Sequence, residues 1–359
     1  MTAGMKTAAI TAETLDALLD VFSAQAPVYM PYRVADRKGT VSWSYRLRTP
    51  GDRFEYAGYR PQQPLKTFLF TGRSRVAEYP GSSNMEELVS GAPIFVVGAA
   101  GCDVISLRSL DVIFLQEEFT DVFYQARREA LFIVSMDCTE PRETCFCTLA
   151  GDRPWADDGF DLNLSPIDGQ YIVEAGSEKG ALVIEGNPGL FTEATPEMIE
   201  ERKKRRNTVR DSVVRMNAEW ELVKPRRELL EAQRMDDTWY KEVSTCVECA
   251  ACLFSCPTCH CFLLYDQKGS GGKYERVREW DACVYSGFSR MAGGSNPRLG
   301  LMERFRHRYE HKLEYYPKNF GFEACTGCGR CIEGCMGSID MRRVLKKLES
   351  ATHKPEVSP

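Results

Sequence analysis

Cys246-Val-Glu-Cys249-Ala-Ala-Cys252-Leu-Phe-Ser-Cys256-Pro257 is the stretch on which the reading of this chain turns, and Cys325-Thr-Gly-Cys328-Gly-Arg-Cys331-Ile-Glu-Gly-Cys335 repeats its spacing. Both runs follow C-x2-C-x2-C-x3-C, the pattern of bacterial two-cluster ferredoxins, and the first also carries the trailing proline. Three thiolates two residues apart on a tightly turning chain each reach one iron corner of a single cubane. The fourth, after a reversal of the chain, points to the neighbouring cluster. This crossed pattern assigns Cys246, Cys249, Cys252 and Cys335 to one [4Fe–4S] cluster and Cys325, Cys328, Cys331 and Cys256 to the other. Structural zinc is the competing reading, but it needs only paired cysteines or a Cys/His knuckle, and two runs of identical spacing exceed that need.

The rest of the composition narrows the class. The 359 residues include 15 cysteines and 4 histidines, with a net charge of -5. That length holds two or three domains, and that charge gives no electrostatic footprint for nucleic acid. Met1–Ile10 lacks the apolar stretch of a signal peptide, and no apolar run approaches the ~20 residues of a membrane helix. So many cysteines without an export signal point to metal ligation rather than disulfides. The expectation is a cytoplasmic, oxygen-sensitive protein that contacts neither membrane nor nucleic acid.

The predicted fold class is α+β: an N-terminal mixed α/β domain followed by a helical two-cluster ferredoxin-like domain. Short apolar runs at Lys66–Phe70, Ile94–Val97 and Leu131–Ser135 read as buried strands. Helical spacing from Val104 to Arg128 gives a strand–helix–strand order between the last two. Tyr171–Glu174 and Ala181–Ile184 read as a later hairpin. Thr195-Pro196-Glu197 opens a helix running to about Val223, just short of Pro225. Its basic stretch Arg202–Arg206 reads as a solvated face balanced by the acids before it, with a docking surface as the alternative. From Glu228 to Pro317 the pattern is mostly helical. The domain expectation is residues 1–194, a helical linker over 195–240, a cluster domain over 241–348, and a loose tail from 349 to 359.

Seven cysteines remain. Cys102 and Cys138 follow two of the predicted strands, with Cys145 and Cys147 in the loop after the second. If those strands are parallel neighbours, all four thiols meet at one edge of the sheet. That set suits a third [4Fe–4S] cluster; zinc fits the same ligands, and plain core filling is the remaining alternative. Cys259, Cys261 and Cys283 lie near Cys256 and read as the shell around the second cluster, tuning its potential. A three-cysteine metal or substrate site is the other reading. Ser255, Thr258, Thr326 and the amides of Gly327 and Gly329 are candidate donors to cluster sulfur. Arg330 is either a stabiliser of the reduced cluster or a solvent-facing ion pair. His307 and His311, four residues apart among Arg304, Arg306, Arg308 and Lys312, read as a charged helix face. Gly269–Lys273 lacks the spacing of a phosphate loop, and no G-x-G-x-x-G fingerprint is present, so no flavin or nucleotide is expected on this chain.

The motifs together resemble a known family. Cys246–Cys261, Trp280–Cys283, Ala292–Gly294, Arg306–Lys312 and Cys325–Cys335 are similar to the β subunit of cytoplasmic sulfhydrogenases, the NAD(P)-linked [NiFe] hydrogenases, and to the corresponding subunit of the anaerobic sulfite reductase. Cys102-Asp103, Asp111 and the Cys138–Cys147 segment extend the resemblance to roughly residues 95–345. It implies an electron conduit with no catalytic residues of its own. Its implied partners are a catalytic subunit of hydrogenase or sulfite-reductase type and an FAD- and NAD(P)H-binding reductase subunit. It also favours the N-terminal cysteines as cluster ligands. Two departures stand out: Met336 where relatives carry proline after the last cysteine, and Ala100-Gly101 where an arginine–proline pair usually precedes Cys-Asp. The rivals to this reading are an enzyme whose N-terminal cluster or extra cysteines reduce a substrate directly, and a zinc-stabilised scaffold.

Overall fold

The computed structural model describes residues 6–351 apart from 36–38, 40, 57, 81–88 and 90. Ile94–Ala100 and Leu131–Met136 are almost wholly buried strands, as expected of central strands covered on both faces. They form the middle of an eight-stranded mixed sheet. With strands numbered along the chain, β1 is Thr7–Thr11, β2 Val28–Ala35, β3 Val41–Leu47, β4 Arg73–Tyr79, β5 Ile94–Ala100, β6 Leu131–Met136, β7 Leu162–Ile167, β8 Gln170–Ala175 and β9 Thr192–Glu193. The sheet order is β3-β2-β5-β6-β7-β8-β1-β9, with β2, β5, β6 and β7 running parallel. Helix Ala12–Gln25, capped by the reciprocal Thr11 and Thr14 bonds, packs Leu15, Leu18, Leu19 and Phe22 on one face. Helix Gly101–Phe114 covers the other with Val104, Leu107 and Leu110.

The predicted strand–helix–strand unit is therefore β5, Gly101–Phe114 with Val122–Ala130, and β6, paired in parallel. Other expectations need correction. Lys66–Leu69 is a helical turn rather than a strand; a five-residue apolar run carries no period to separate the two, and Pro64 starts the turn with its carbonyl. The hairpin is β7–β8, turned by Asp168-Gly169 with both residues at positive φ. Asp-Gly is a strong hairpin signal. Ala181–Ile184 instead lies in helix Glu178–Gly186, capped by Ser177. The helix from Pro196 ends at Met216, where Asn217 caps it, short of Val223. Its basic stretch is only partly solvated, because Arg202 pairs with Glu174 and Arg206 forks onto buried Asp137.

The second half is not uniformly helical. β10 (Phe262–Lys268) and β11 (Tyr274–Trp280) form a hairpin around Gly269–Lys273, and β11 pairs with β4 from the first half of the chain. This small sheet crosses the expected boundary at residue 195. Helices Arg226–Ala232, Thr238–Val243, Leu301–Glu310 and Met341–Ser350 enclose a separate core around Trp239, Tyr309 and Val344. Among the described residues, no helix is long and apolar enough to cross a membrane.

Arg330 locks the two halves together. Its guanidinium is 2% exposed and bonds Asp103 at 2.6 Å and the carbonyls of Pro61 and Gln62. It does not face solvent, and it feels the charge of Cys328 and Cys102 beside that of Asp103. Removing one partner of such a buried pair strands the other charge, so Arg330→Met is expected to cost about 3–5 kcal/mol. A denaturation series reads this directly, and an unchanged midpoint would contradict it.

Candidate functional site

Twelve of the cysteines gather around three cavities. The first is lined by Cys246, Cys249, Cys252 and Cys335, with Cys331, Val284, Arg308 and Tyr309 completing its wall. Its loop turns through Glu248 and Ala250, both at positive φ, before the short helix Ala251–Phe254. Cys335 Sγ accepts the Ile339 amide at 3.3 Å. Burial pushes the Cys252 thiol up to about 11. Cys249 is exposed.

The second cavity is lined by Cys256, Cys325, Cys328 and Cys331 together with Arg308, Lys312 and Thr326. Lys312 Nζ lies 3.3 Å from Cys256 Sγ, 2.7 Å from Thr258 Oγ1 and 3.1 Å from the Ala324 carbonyl. A hydrogen bond with Cys259, then the charges of Lys312 and Lys66, hold the Cys256 thiol well below its usual range. Of the expected donors, Thr258 reaches Cys256 Sγ at 3.2 Å and the Gly327 amide reaches Cys325. Ser255 does not; it bonds back to the Ala251 carbonyl within its own turn. Thr326 has a buried hydroxyl without a partner among the described residues and lines the cavity.

The third cavity is lined by Cys102, Cys138, Cys145 and Cys147, with Cys328, Arg60 and Gly327. Parallel β5 and β6 deliver Cys102 and Cys138 to the same edge of the sheet, as the strand order implies. The loop carrying Cys145 and Cys147 is held against the second cysteine run by the Phe146 amide on the Gly327 carbonyl at 2.7 Å. Buried Arg60 donates to the Cys328 carbonyl and pairs with Glu333 at 2.6 Å. The cavities are contiguous: Cys331 lines the first and second, Cys328 the second and third.

The donor set fits iron–sulfur cubanes. Lys66, Arg308 and Lys312 are buried cations with no carboxylate partner among the described residues, and the charges acting on them come chiefly from thiols. Burying a cation unpaired is costly. A cluster ligated by four thiolates supplies the missing negative charge. Sequence reasoning missed Lys66, hidden in an apolar run, and read Arg308 and Lys312 as solvated. Spacing alone could have found the second pair, because both fall on the same side of the helix as Phe305 and Tyr309.

Two comparisons bear on this arrangement. A 4Fe-4S dicluster domain model matches residues 245–339. The chain is 32% identical over 290 residues to sulfhydrogenase 2 subunit beta of Pyrococcus furiosus, spanning 79% of this chain and 82% of that protein. The chain belongs to the sulfhydrogenase β-subunit family. The matched domain spans both ferredoxin-type runs, and as in other 4Fe-4S dicluster domains this segment binds [4Fe–4S] clusters. The similarity to the family member also reaches well beyond that domain, because it covers most of both chains.

The histidines depart from expectation. His307 and His311 are stacked at 5.8 Å and partly buried, with His260 5.7 Å from His311. Burial holds His260 and His307 down to about 4 and His311 to about 3, from an ordinary 6.5. The unfolded chain therefore binds more protons below about pH 6.5, and folded stability falls as pH drops toward 4. Replacing His311 by Phe removes one such group, so wild type is expected to lose about 1–2 kcal/mol more than His311→Phe between about pH 7 and pH 5. Parallel losses in the two melting curves would contradict this.

Proposed function

We propose that this chain is the electron-transfer subunit of a multi-subunit oxidoreductase, carrying three [4Fe–4S] clusters in a line. Cys246, Cys249, Cys252 and Cys335 hold the first. Cys256, Cys325, Cys328 and Cys331 hold the second. Cys102, Cys138, Cys145 and Cys147 hold the third, on the N-terminal side. A bound cubane supplies reversible one-electron chemistry at a potential set by charge, burial and hydrogen bonds to sulfur. The observation that carries the reading is the sharing of cavity walls through Cys328 and Cys331, which makes the three sites neighbours in series.

The protein's own part is to fix spacing and field. Lys312 and Thr258 bias the second site toward its reduced, more negative form. Arg308 stands between the first and second sites and serves both. At the first site Val247, 65% exposed, lies between Cys246 and exposed Cys249, and Met336 follows Cys335 at 77% exposed. That apolar rim is where a redox partner approaches. By analogy with the family, one partner is a catalytic subunit of hydrogenase or sulfite-reductase type and the other an FAD- and NAD(P)H-binding reductase subunit. The chain works in the cytoplasm, and residues 1–194 and 241–348 act as two cluster-bearing parts that meet at the shared Cys328 wall.

Two experiments test the assignment. Cys249→Ala in the assembled complex removes one cluster's spectrum and most electron throughput, with the partners still bound; full throughput would sink the proposal. Lys312→Met removes a cation beside the second site, so the reduced state loses stabilisation. Its midpoint potential is expected to move negative by about 60–120 mV, with ~59 mV matching a tenfold change for one electron. A redox titration followed by electron paramagnetic resonance reads the shift, and no shift would contradict the role given to Lys312.

A further inference from the structure

Cys259, Cys261 and Cys283 line none of the three cavities. Instead they continue the sulfur path away from the second site. Cys259 and Cys261 pack against the small apolar core that holds Cys283, and electrostatics couple Cys259 to Cys256 and Cys261 to Cys283. Cys261 and Cys283 are thus neighbours at the mouth of one hairpin, a placement from which a disulfide can form.

The backbone holds the pair in register. Cys261 immediately precedes β10 and Cys283 comes just after β11, and the Asp281 amide bonds the Cys261 carbonyl at 3.0 Å across the mouth of the hairpin. Cys283 is buried and Cys261 only half so, which puts Cys261 on the solvent side of the pair. Lys66, 2% exposed, lies 4.4 Å over the Trp280 ring and bonds the Cys259 carbonyl at 2.9 Å. Its unpaired charge favours a thiolate nearby. The contact holds the Cys261 thiol below its usual range and raises that of Cys283, the asymmetry of a pair sharing one proton.

We propose that Cys261 and Cys283 are a redox-active dithiol–disulfide pair, reached through Cys259 from the second four-cysteine site. On reduction the S–S bond breaks, and each sulfur takes one electron and one proton to give two thiols. The electrons arrive singly from the reduced cluster, and the protons come from solvent at the Cys261 side. Oxidation reverses every term, returning both electrons to the clusters. The pair thus stores two electrons beside carriers that each move one. This rests on Cys256 being a ligand of the second cluster.

The test uses the anaerobic complex poised at reducing and oxidising potentials, alkylated, digested and weighed, with iron counted in the same samples. The expected result is a Cys261–Cys283 disulfide in the oxidised sample and two alkylated thiols in the reduced one. Cys283→Ser leaves Cys261 alkylated at both potentials with iron unchanged, and Cys261→Ser does the reverse. Two free thiols at every potential, while the clusters titrate, would overturn the pair. So would loss of iron in Cys283→Ser, which would make that residue a ligand. Absence of iron in the wild type would instead defeat the cluster reading, and the peptide masses would still decide the thiol pair.

Discussion

A Cβ added at Gly327 would sit 2.4 Å from the Phe146 carbonyl oxygen, and one at Gly329 would sit 2.1 Å from that of Thr144. Both glycines also adopt positive φ, at 60° and 75°. Here the backbone of the second cysteine run is pressed directly on the backbone of the loop bearing Cys145 and Cys147, an approach open only to residues without a side chain. The junction of the second and third cavities depends on this seating. It makes Cys328 a wall of two cavities at once, brings Arg60 to the Cys328 carbonyl, and lets Arg330 reach back to Asp103. The two halves of the chain are joined at the functional centre, not merely tethered by the segment between them.

Charge explains why the centre is built from such costly parts. Arg330 and Arg60 have carboxylate partners in Asp103 and Glu333, and so act as clamps even though thiols also lie near them. Lys66, Arg308 and Lys312 have none among the described residues and face thiols instead. A buried ammonium with neither water nor counter-ion is destabilising. These three therefore read as one half of an ion pair whose other half is the thiolate-bound cluster. With clusters bound as proposed, the same cations would both stabilise the folded state and favour adding an electron to the clusters. Stability and redox tuning come from one set of contacts.

Much of this was legible in the residues. The spacing of the two cysteine runs carries a crossed pairing, and Cys246, Cys249, Cys252 and Cys335 do line one cavity while Cys256, Cys325, Cys328 and Cys331 line another. Cys102 and Cys138 were legible for a different reason: two buried apolar runs separated by a helix give parallel neighbours, and the residues after them share an edge. What escaped was whatever depends on distant partners. Lys66 sits in a run too short to carry a period, so its helical turn and its place beside Cys259 follow only from tertiary packing. The β10–β11 hairpin alternates weakly and takes its third strand from residues 73–79, a pairing no local pattern encodes. Arg308 and Lys312 look like surface charge because nearly every such helix is solvated. Only the thiols opposite them explain their burial.

The central claim is three clusters in series on one chain. Iron and acid-labile sulfide, counted with zinc on anaerobically purified protein, test it most directly. The account predicts about twelve of each per chain, falling to about eight in Cys145→Ser. About eight in the wild type would remove the N-terminal cluster and leave those four thiols to another duty. Zinc without sulfide would contradict the electron-transfer account altogether.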